Sequence, residues 1–159
     1  MSRIPLSNVD GNVFFRAMGH RIEIADEWAK LDGLIRFTGE LDPYLKEEVR
    51  RALALGIGCR FCSSLGDPEP HKHDKKTALA VAFAQAMFQN ISDLHGLDDE
   101  NFEVLRSEFS TSAIVELVCW VLFLVAAQGF GAIMKLPEAT PNELSEYLEW
   151  RAAGQVEAA

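Results

Sequence analysis

Two of the three cysteines in this 159-residue chain lie three positions apart, directly after a pair of glycines. The stretch reads GIGCRFCSSLG and gives Cys59 and Cys62 a C-x-x-C spacing. Thiols at this spacing can form a redox-active disulfide, supply half of a metal site, or pack as two small apolar side chains. The choice among these three kinds of chemistry depends on the rest of the sequence.

The local sequence favours a redox pair. Gly56 and Gly58 end the preceding helix, so Cys59 begins a short new turn. Free N–H groups at a helix start favour the thiolate and lower the pKa of a thiol from about 8.5 towards neutrality. The adjacent Arg60 adds a positive charge. Such a thiolate attacks a peroxide oxygen to give a sulfenic acid, which the second thiol converts to a disulfide that an external dithiol must reduce.

Two downstream histidines make a metal site the alternative. His71 and His73 follow the cysteines in a C-x2-C-x8-H-x-H array, which contains four ligands of the types that zinc accepts. This spacing departs from common zinc fingers, and both histidines fall in a proline-containing stretch typical of a surface loop. We therefore expect no bound metal and no other cofactor. The third alternative, two inert thiols packed in a core, stays open.

Composition and charge limit the classes of function. With 48% hydrophobic and 25% charged residues, the chain can form one globular domain with its own core. Its formal net charge is −9, whereas proteins that bind a phosphate backbone concentrate lysine and arginine. We therefore expect no nucleic acid partner.

The apolar segments predict a cytoplasmic protein without a membrane partner. The N-terminus has no uninterrupted apolar region of the kind found in signal peptides. The longest apolar run, residues 117–127, is shorter than the ~20 residues that a membrane span needs. We expect this run to be a buried helix and Cys119 within it to be an inert buried thiol. In a reducing compartment a permanent structural disulfide is rare, which favours a redox or metal role for the close cysteine pair.

Apolar spacing and capping patterns predict helices nearly throughout. The predicted helices cover residues 25–37, 43–55, 74–91, 98–106 and 142–151, and a further apolar helix begins after Ser110 and fades near Gly129 and Gly131. No stretch alternates apolar and polar residues long enough to predict a sheet. We therefore expect an all-α, single-domain bundle of about six to seven helices in residues 25–152, with an N-terminal extension (1–24) and a C-terminal tail (153–159).

The order of these elements resembles the alkylhydroperoxidase D-like, carboxymuconolactone decarboxylase family over roughly residues 31–136. The resemblance is carried by Lys46-Glu47, by the segment GCRFC, and by the helical stretches TALAVAFAQAMFQN and LDDENFEVLRSEFSTSAIVELVCWVLFL. Redox members of the family carry E-x11-C-x-x-C-x3-H, and Glu47 stands twelve positions before Cys59. The resemblance implies an alkylhydroperoxidase D-like helical bundle, a homo-oligomer, and thiol-dependent peroxide reduction or disulfide exchange.

The resemblance also implies roles for individual residues. Cys62 resembles the attacking cysteine, Cys59 the resolving cysteine, and Glu47 the carboxylate of the family's proton relay. A small peroxide as substrate and an external dithiol as reductant are the implied partners. Gly66 stands where the family has its histidine, so His71 or His73 is the candidate substitute base.

Helical periodicity by itself gives Glu47 a different environment. Leu45, Val49 and Leu53 share the apolar face of the helix, whereas Glu47 points away from it beside Arg50. This pattern predicts a solvated, ion-pairing carboxylate. An unbroken helix would also hold Glu47 some ~18 Å from Cys59, so contact between the two requires the chain to bend at the glycines.

Two other functions stay open at this point. The chain could be a catalytically reduced relative that serves as a binding or assembly module. It could also carry out carboxymuconolactone-decarboxylase-like chemistry on a lactone, although family members with that activity generally lack the cysteine pair.

Overall fold

Helices make up most of the computed structural model, which describes the backbone of residues 2–157 and the side chains of residues 2–155. They are Val13–Met18 (α1), Ile22–Phe37 (α2), Pro43–Ile57 (α3), Arg60–Ser64 (α4), Lys75–Gln89 (α5), Asp99–Glu108 (α6), Thr111–Ile133 (α7) and Pro141–Glu157 (α8). Residues 2–157 contain no strand, and six of these helices have ten residues or more. The predicted all-α bundle is therefore confirmed.

Local capping chemistry fixes where most of these helices begin. Side-chain oxygens of the preceding residues accept hydrogen bonds from first-turn N–H groups at Asn12, Asp42, Asp74, Asp98 and Ser110. At the start of α8, the Glu143 carboxylate accepts from the Thr140 backbone N–H at 2.8 Å, and the Thr140 hydroxyl accepts from the Glu143 N–H at 3.3 Å. These caps satisfy N–H groups that have no partner inside the helix. They account for the agreement between predicted and observed starts.

The main core lies around α3, which packs against α5 and α7. Its fully buried side chains include Val49, Leu53, Leu105, Leu117, Trp120 and Val121. The indole Nε1 of Trp120 donates to the Lys46 carbonyl oxygen at 2.9 Å, so the one polar group of this large side chain is satisfied. The Lys46 ammonium in turn donates to the carbonyls of Ile35 and Thr38 at the end of α2. These bonds fix α3 relative to α2 and α7.

A second, smaller core surrounds the short helix α4. It contains Val13, Ala17, Ala54, Cys59, Phe61, Cys62, Leu65 and Leu136, with Leu144 and Tyr147 of α8 packed against it. The N-terminal helix and the C-terminal helix thus both contribute to the surroundings of the cysteine pair. The domain boundaries predicted near residues 24 and 152 fall inside α2 and α8.

Helix α7 departs from the sequence prediction in two respects. It continues to Ile133, past the two glycines at which the prediction ended it. Cys119, expected to be buried, is exposed, as are Val115 and Leu122 on the same side of the helix. The bundle covers the opposite side, where Leu117 and Trp120 are buried. The composition of α7 is apolar on every side, so only its packing shows which side is buried and which is exposed.

The length and composition of α7 also bear on the expected location. Its 23 residues, with a mean hydropathy of 2.1 over 18 of them, are enough to cross a membrane, and within residues 2–157 this is the one helix of that kind. A core helix of a soluble protein meets the same criteria, and α7 packs along α3, α2 and α5. The cytoplasmic location stays a prediction.

Candidate active site

Cys59 and Cys62 are joined by a disulfide, with their Cα atoms 5.2 Å apart. Cys59 is the N-cap of α4, and its sulfur accepts a hydrogen bond from the Cys62 backbone N–H at 3.2 Å. The predicted bond between the two cysteines is therefore confirmed. Among the described residues, no three histidine, cysteine, aspartate or glutamate side chains meet in a group that could hold a metal ion. The alternative zinc array of two cysteines and two histidines is not assembled.

Two glycines make the position of the disulfide possible. Gly58 ends α3 in the left-handed conformation, with φ +79°, and turns the chain so that α4 folds back beside α3. Gly131 lies on α7 where a Cβ atom would come within 2.5 Å of the Cys59 sulfur. Its lack of a side chain lets α7 run directly over the disulfide. The helix tolerates this glycine because a glycine in a helix interior costs only about 1 kcal/mol.

The two cysteines of the disulfide differ in their exposure. Cys59 has no exposed surface, whereas Cys62 is 7% exposed and lines a cavity of about 430 Å³. The cavity walls are mainly apolar and aromatic, and five helices provide them: Phe14, Phe15 and Met18 from α1, Trp28 from α2, Phe61 from α4, Phe123 and Leu124 from α7, and Tyr147 and Trp150 from α8. A ligand in this cavity can reach Cys62 and not Cys59.

Glu47 does not occupy the solvated position that periodicity predicted. Its side chain is 2% exposed and is surrounded by four arginines: Arg36 at 3.5 Å, Arg50 at 2.9 Å, Arg51 at 3.1 Å and Arg151 at 3.3 Å. The Tyr147 hydroxyl also donates to its Oε2 at 2.8 Å. The face of α3 that bears Glu47 is therefore covered by α8 of the same chain. Periodicity could not reveal this cover, because Tyr147 lies 100 residues further along.

The charge state of Glu47 follows from its surroundings. Burial alone raises the pKa of a carboxyl, but the nearby charges of Arg50, Arg151 and Arg36 outweigh this and lower the pKa of Glu47 to about 2. Glu47 is thus a carboxylate at neutral pH. A base with so low a pKa accepts protons poorly, so its main effect there is electrostatic.

Arg50 connects Glu47 to the cysteine pair. Its Nε and Nη2 donate to the two oxygens of Glu47, each at 2.9 Å, in a bidentate pair. The remaining Nη1 donates to the Cys62 carbonyl oxygen at 2.7 Å. The bend at Gly58 thus brings the carboxylate and the C-x-x-C segment together, as contact between them requires. The connection passes through a guanidinium and the Cys62 backbone.

The two candidate substitute bases lie away from the cavity. His73 forms a 2.7 Å hydrogen bond with the fully buried carboxylate of Glu48, and His71 is exposed in a short turn. Neither of them lines the cavity around Cys62. At Gly66, where the family has its histidine, φ is +136° and a Cβ atom would lie 3.2 Å from Arg51 Nε. An arginine therefore occupies the space next to this position.

Arg36, Tyr147 and Arg151 also belong to the site, although no local sequence pattern marks them as site residues. Tyr147 accepts a hydrogen bond from Arg36 at 3.2 Å and lines the cavity. Burial raises the pKa of Tyr147, and the positive charges of Arg36 and Arg50 oppose the increase only in part, so the hydroxyl is protonated at neutral pH. The available signal was the spacing of Tyr147, Trp150 and Arg151, which places the three side chains on one side of α8.

Comparison with known proteins adds no relative: no family model matches the chain, and no curated protein or solved structure is significantly similar to it. Membership of the alkylhydroperoxidase D-like family accordingly stays a prediction that rests on the residue pattern.

Proposed function

We propose that this protein is an oxidoreductase of the alkylhydroperoxidase D-like type, which reduces a small peroxide or exchanges disulfides through Cys62 and Cys59. The observation that carries the proposal is a disulfide at a C-x-x-C spacing of which only Cys62 lines a cavity. Inert buried thiols would need no such access. The same asymmetry supports the roles implied by the family, with Cys62 attacking and Cys59 resolving.

In the proposed oxidation, the Cys62 thiolate attacks the terminal oxygen of a hydroperoxide and the O–O bond breaks. Cys62 becomes a sulfenic acid, and the departing alkoxide takes a proton and leaves as an alcohol. The Cys59 thiolate then attacks the Cys62 sulfur, hydroxide leaves and is protonated to water, and the disulfide forms. The peroxide gains the two electrons that the thiol pair loses.

Reduction of the disulfide also begins at Cys62. A thiolate of the external dithiol attacks the Cys62 sulfur, because Cys59 is fully buried. Cys59 leaves as a thiolate, and the Cys62 N–H that donates to its sulfur stabilises the negative charge. The second thiol of the reductant then attacks the mixed disulfide and releases Cys62. This sequence consumes one dithiol for each peroxide.

Glu47 and Tyr147 have different roles in this scheme. Glu47, with its low pKa, acts through Arg50 as a positioning residue for the Cys62 backbone. Tyr147 is protonated and lines the cavity, but its single O–H is donated to Glu47, so it helps to hold that carboxylate, and the departing alkoxide takes its proton from water. No histidine of the described chain lines this cavity, and a positioned base typically contributes ~10²-fold or more. We therefore expect slow turnover.

Single cysteine variants test the proposal. In Cys59→Ser, peroxide should leave a persistent sulfenic acid on Cys62 that a dimedone-type reagent traps, whereas Cys62→Ser should consume no peroxide. Cys119→Ser is the matched control, because this exposed cysteine is not part of the pair, and its turnover should equal that of the wild type. If neither paired variant changes peroxide or disulfide turnover, the enzyme proposal is wrong and a binding or assembly module is the function to pursue.

A further inference from the structure

The side-chain oxygen of Gln128, next to the Cys62 cavity, is a buried acceptor that receives no hydrogen bond. This residue of α7 is 2% exposed and lines the cavity. Its Nε2 donates to the Arg50 carbonyl oxygen at 2.9 Å, and because that partner is an acceptor, the orientation of the amide is fixed. The other end of the amide, Oε1, is buried and has no hydrogen-bond partner. Leaving a buried acceptor unpaired is unfavourable, and native structures rarely do so without a reason.

The arginine and tyrosine side chains that line this cavity already have hydrogen-bond partners. Arg36 donates to Asp32 and Tyr147, Arg50 donates to Glu47 and the Cys62 carbonyl, and the Tyr147 hydroxyl donates to Glu47. The carboxylates that also line the cavity, those of Asp32, Glu143 and Glu146, are half-exposed or exposed, so water can satisfy them. Gln128 therefore has the one unpaired buried oxygen among the described side chains that line this cavity, and a small shift of the amide towards the cavity would let a ligand supply the donor.

We infer that Gln128 recognises the head of the ligand that this cavity takes, with Oε1 accepting a hydrogen bond from an O–H or N–H group. The apolar and aromatic walls fit an apolar body attached to that head. A ligand with a donor pairs the orphan oxygen, whereas an ether of the same shape leaves it unpaired. Gln128 thus selects ligands by the presence of a donor.

This inference rests on the proposed function only where it concerns the reaction. A hydroperoxide carries its O–H on the oxygen that a thiolate attacks. Gln128 would then favour hydroperoxides over dialkyl peroxides, which lack this hydrogen. Gln128 would then contact the substrate and determine specificity, whereas the cysteines break the O–O bond.

Binding to the disulfide form tests the inference without any turnover. The probes are 2-phenyl-2-propanol and its methyl ether, and the readout is the fluorescence of Trp28 and Trp150, which line the cavity, with calorimetry as a second readout. The alcohol should bind the wild type about tenfold more tightly than the ether, a typical effect of a hydrogen bond to a buried acceptor. Equal affinities, or no binding of either probe, would overturn the inference.

Gln128→Met removes the acceptor at similar side-chain volume, and the alcohol and the ether should then bind about equally. Gln85→Met, at an exposed position of α5, is the matched control and should keep the wild-type ratio. A wild-type ratio in Gln128→Met would also overturn the inference. If Gln128→Met does not fold, the wild-type comparison still decides. A protein without peroxide turnover that nevertheless discriminates alcohol from ether would disprove the proposed function alone.

Discussion

Gly66 stands where the resemblance to the alkylhydroperoxidase D-like family would place a histidine, and its surroundings do not suit a side chain. Its φ of +136° lies in a region that residues with a Cβ rarely adopt. Arg51 occupies the adjacent space and pairs there with Glu47 and Glu48. An arginine-carboxylate cluster therefore lies next to the position at which the predicted family relationship would place an imidazole.

We expect Gly66→His to lower the free energy of unfolding by about 1–3 kcal/mol, because the backbone conformation is strained for any residue but glycine. It should not raise peroxide turnover. Urea denaturation and a coupled peroxidase assay measure the two effects. Gly33→His in α2 is the control, since nothing lies within 4 Å of a Cβ at that position, and its stability should hardly change. Faster turnover at unchanged stability in Gly66→His would contradict this prediction.

Glu47 is the residue whose ionisation should control stability in acid. Its folded pKa of about 2 lies below the ordinary value of 4.5, so the ionised form stabilises the fold fully above pH 4.5. That contribution is lost as the pH falls from 4.5 towards 2. The shift corresponds to roughly 3 kcal/mol. Thermal denaturation between pH 7 and pH 2 should show this loss.

Glu47→Gln should be less stable than the wild type at pH 7, by about 3 kcal/mol or more, because it leaves buried arginines without their carboxylate. The difference between the two proteins should shrink at low pH. Glu103→Gln, which breaks an exposed ion pair with Arg106, is the control and should change stability little. Parallel stability profiles for Glu47→Gln and the wild type would show that Glu47 does not titrate in this range.

At the scale of elements, the contact of α7 with the disulfide depends on a single glycine. Gly131→Ala would place a Cβ atom 2.5 Å from the Cys59 sulfur, so one of the two elements must move. We expect a loss of about 1–3 kcal/mol in the free energy of unfolding of the oxidised protein. Gly129→Ala should instead stabilise by up to about 1 kcal/mol, because nothing lies within 4 Å of its Cβ.

Urea denaturation of these two variants in the oxidised form gives the measurement. The pair is well matched, since both glycines belong to α7 and both changes add one methyl group. If the two variants change stability in the same direction and by the same amount, Gly131 is not required for the close packing of α7 on the disulfide.

Helix α8 covers the candidate active site. Tyr147 and Arg151 contact Glu47, and Trp150 packs edge-on against Phe37 of α2. From the sequence, this acidic helix has a solvated face with a few apolar contacts. In the fold, those few contacts bury the carboxylate and close one wall of the cavity.

At the scale of the whole molecule, exposed apolar side chains of α7 favour assembly. Val115 is 58% exposed and Ile133 61%, and Leu122 and Cys119 lie between them on the exposed side. We expect a homo-oligomer, because an apolar stripe of this kind is commonly covered by a partner. Light scattering in dilute buffer should give a mass above 17.7 kDa.

Leu122→Arg should shift the measured mass towards that of one chain, because a buried charge disfavours an apolar interface. Val104→Arg, an exposed position of α6, is the control and should leave the mass unchanged. A wild-type protein that is monomeric at micromolar concentration would show that the predicted oligomer does not form.

Features that depend on near neighbours along the chain could be predicted from the sequence. Capping residues and apolar spacing gave the helices, since both act within one or two turns, and the C-x-x-C spacing allowed the disulfide. The histidine candidates show the limit of such reasoning, because closeness along the chain did not bring His73 to Cys62. Its ring pairs with Glu48.

The environment of the site depends on packing between helices and could not be predicted from the sequence. Helical periodicity reports which face of a helix is apolar, but not which distant segment covers the opposite face. Glu47 is therefore buried by α8 although its position predicted solvent, and Cys119 is exposed although its neighbours are apolar. The cavity, with Cys62 in its wall and the unpaired oxygen of Gln128 beside it, lies where α1, α2, α4, α7 and α8 meet. Packing between segments far apart in the chain sets these features, and local sequence patterns do not contain that information.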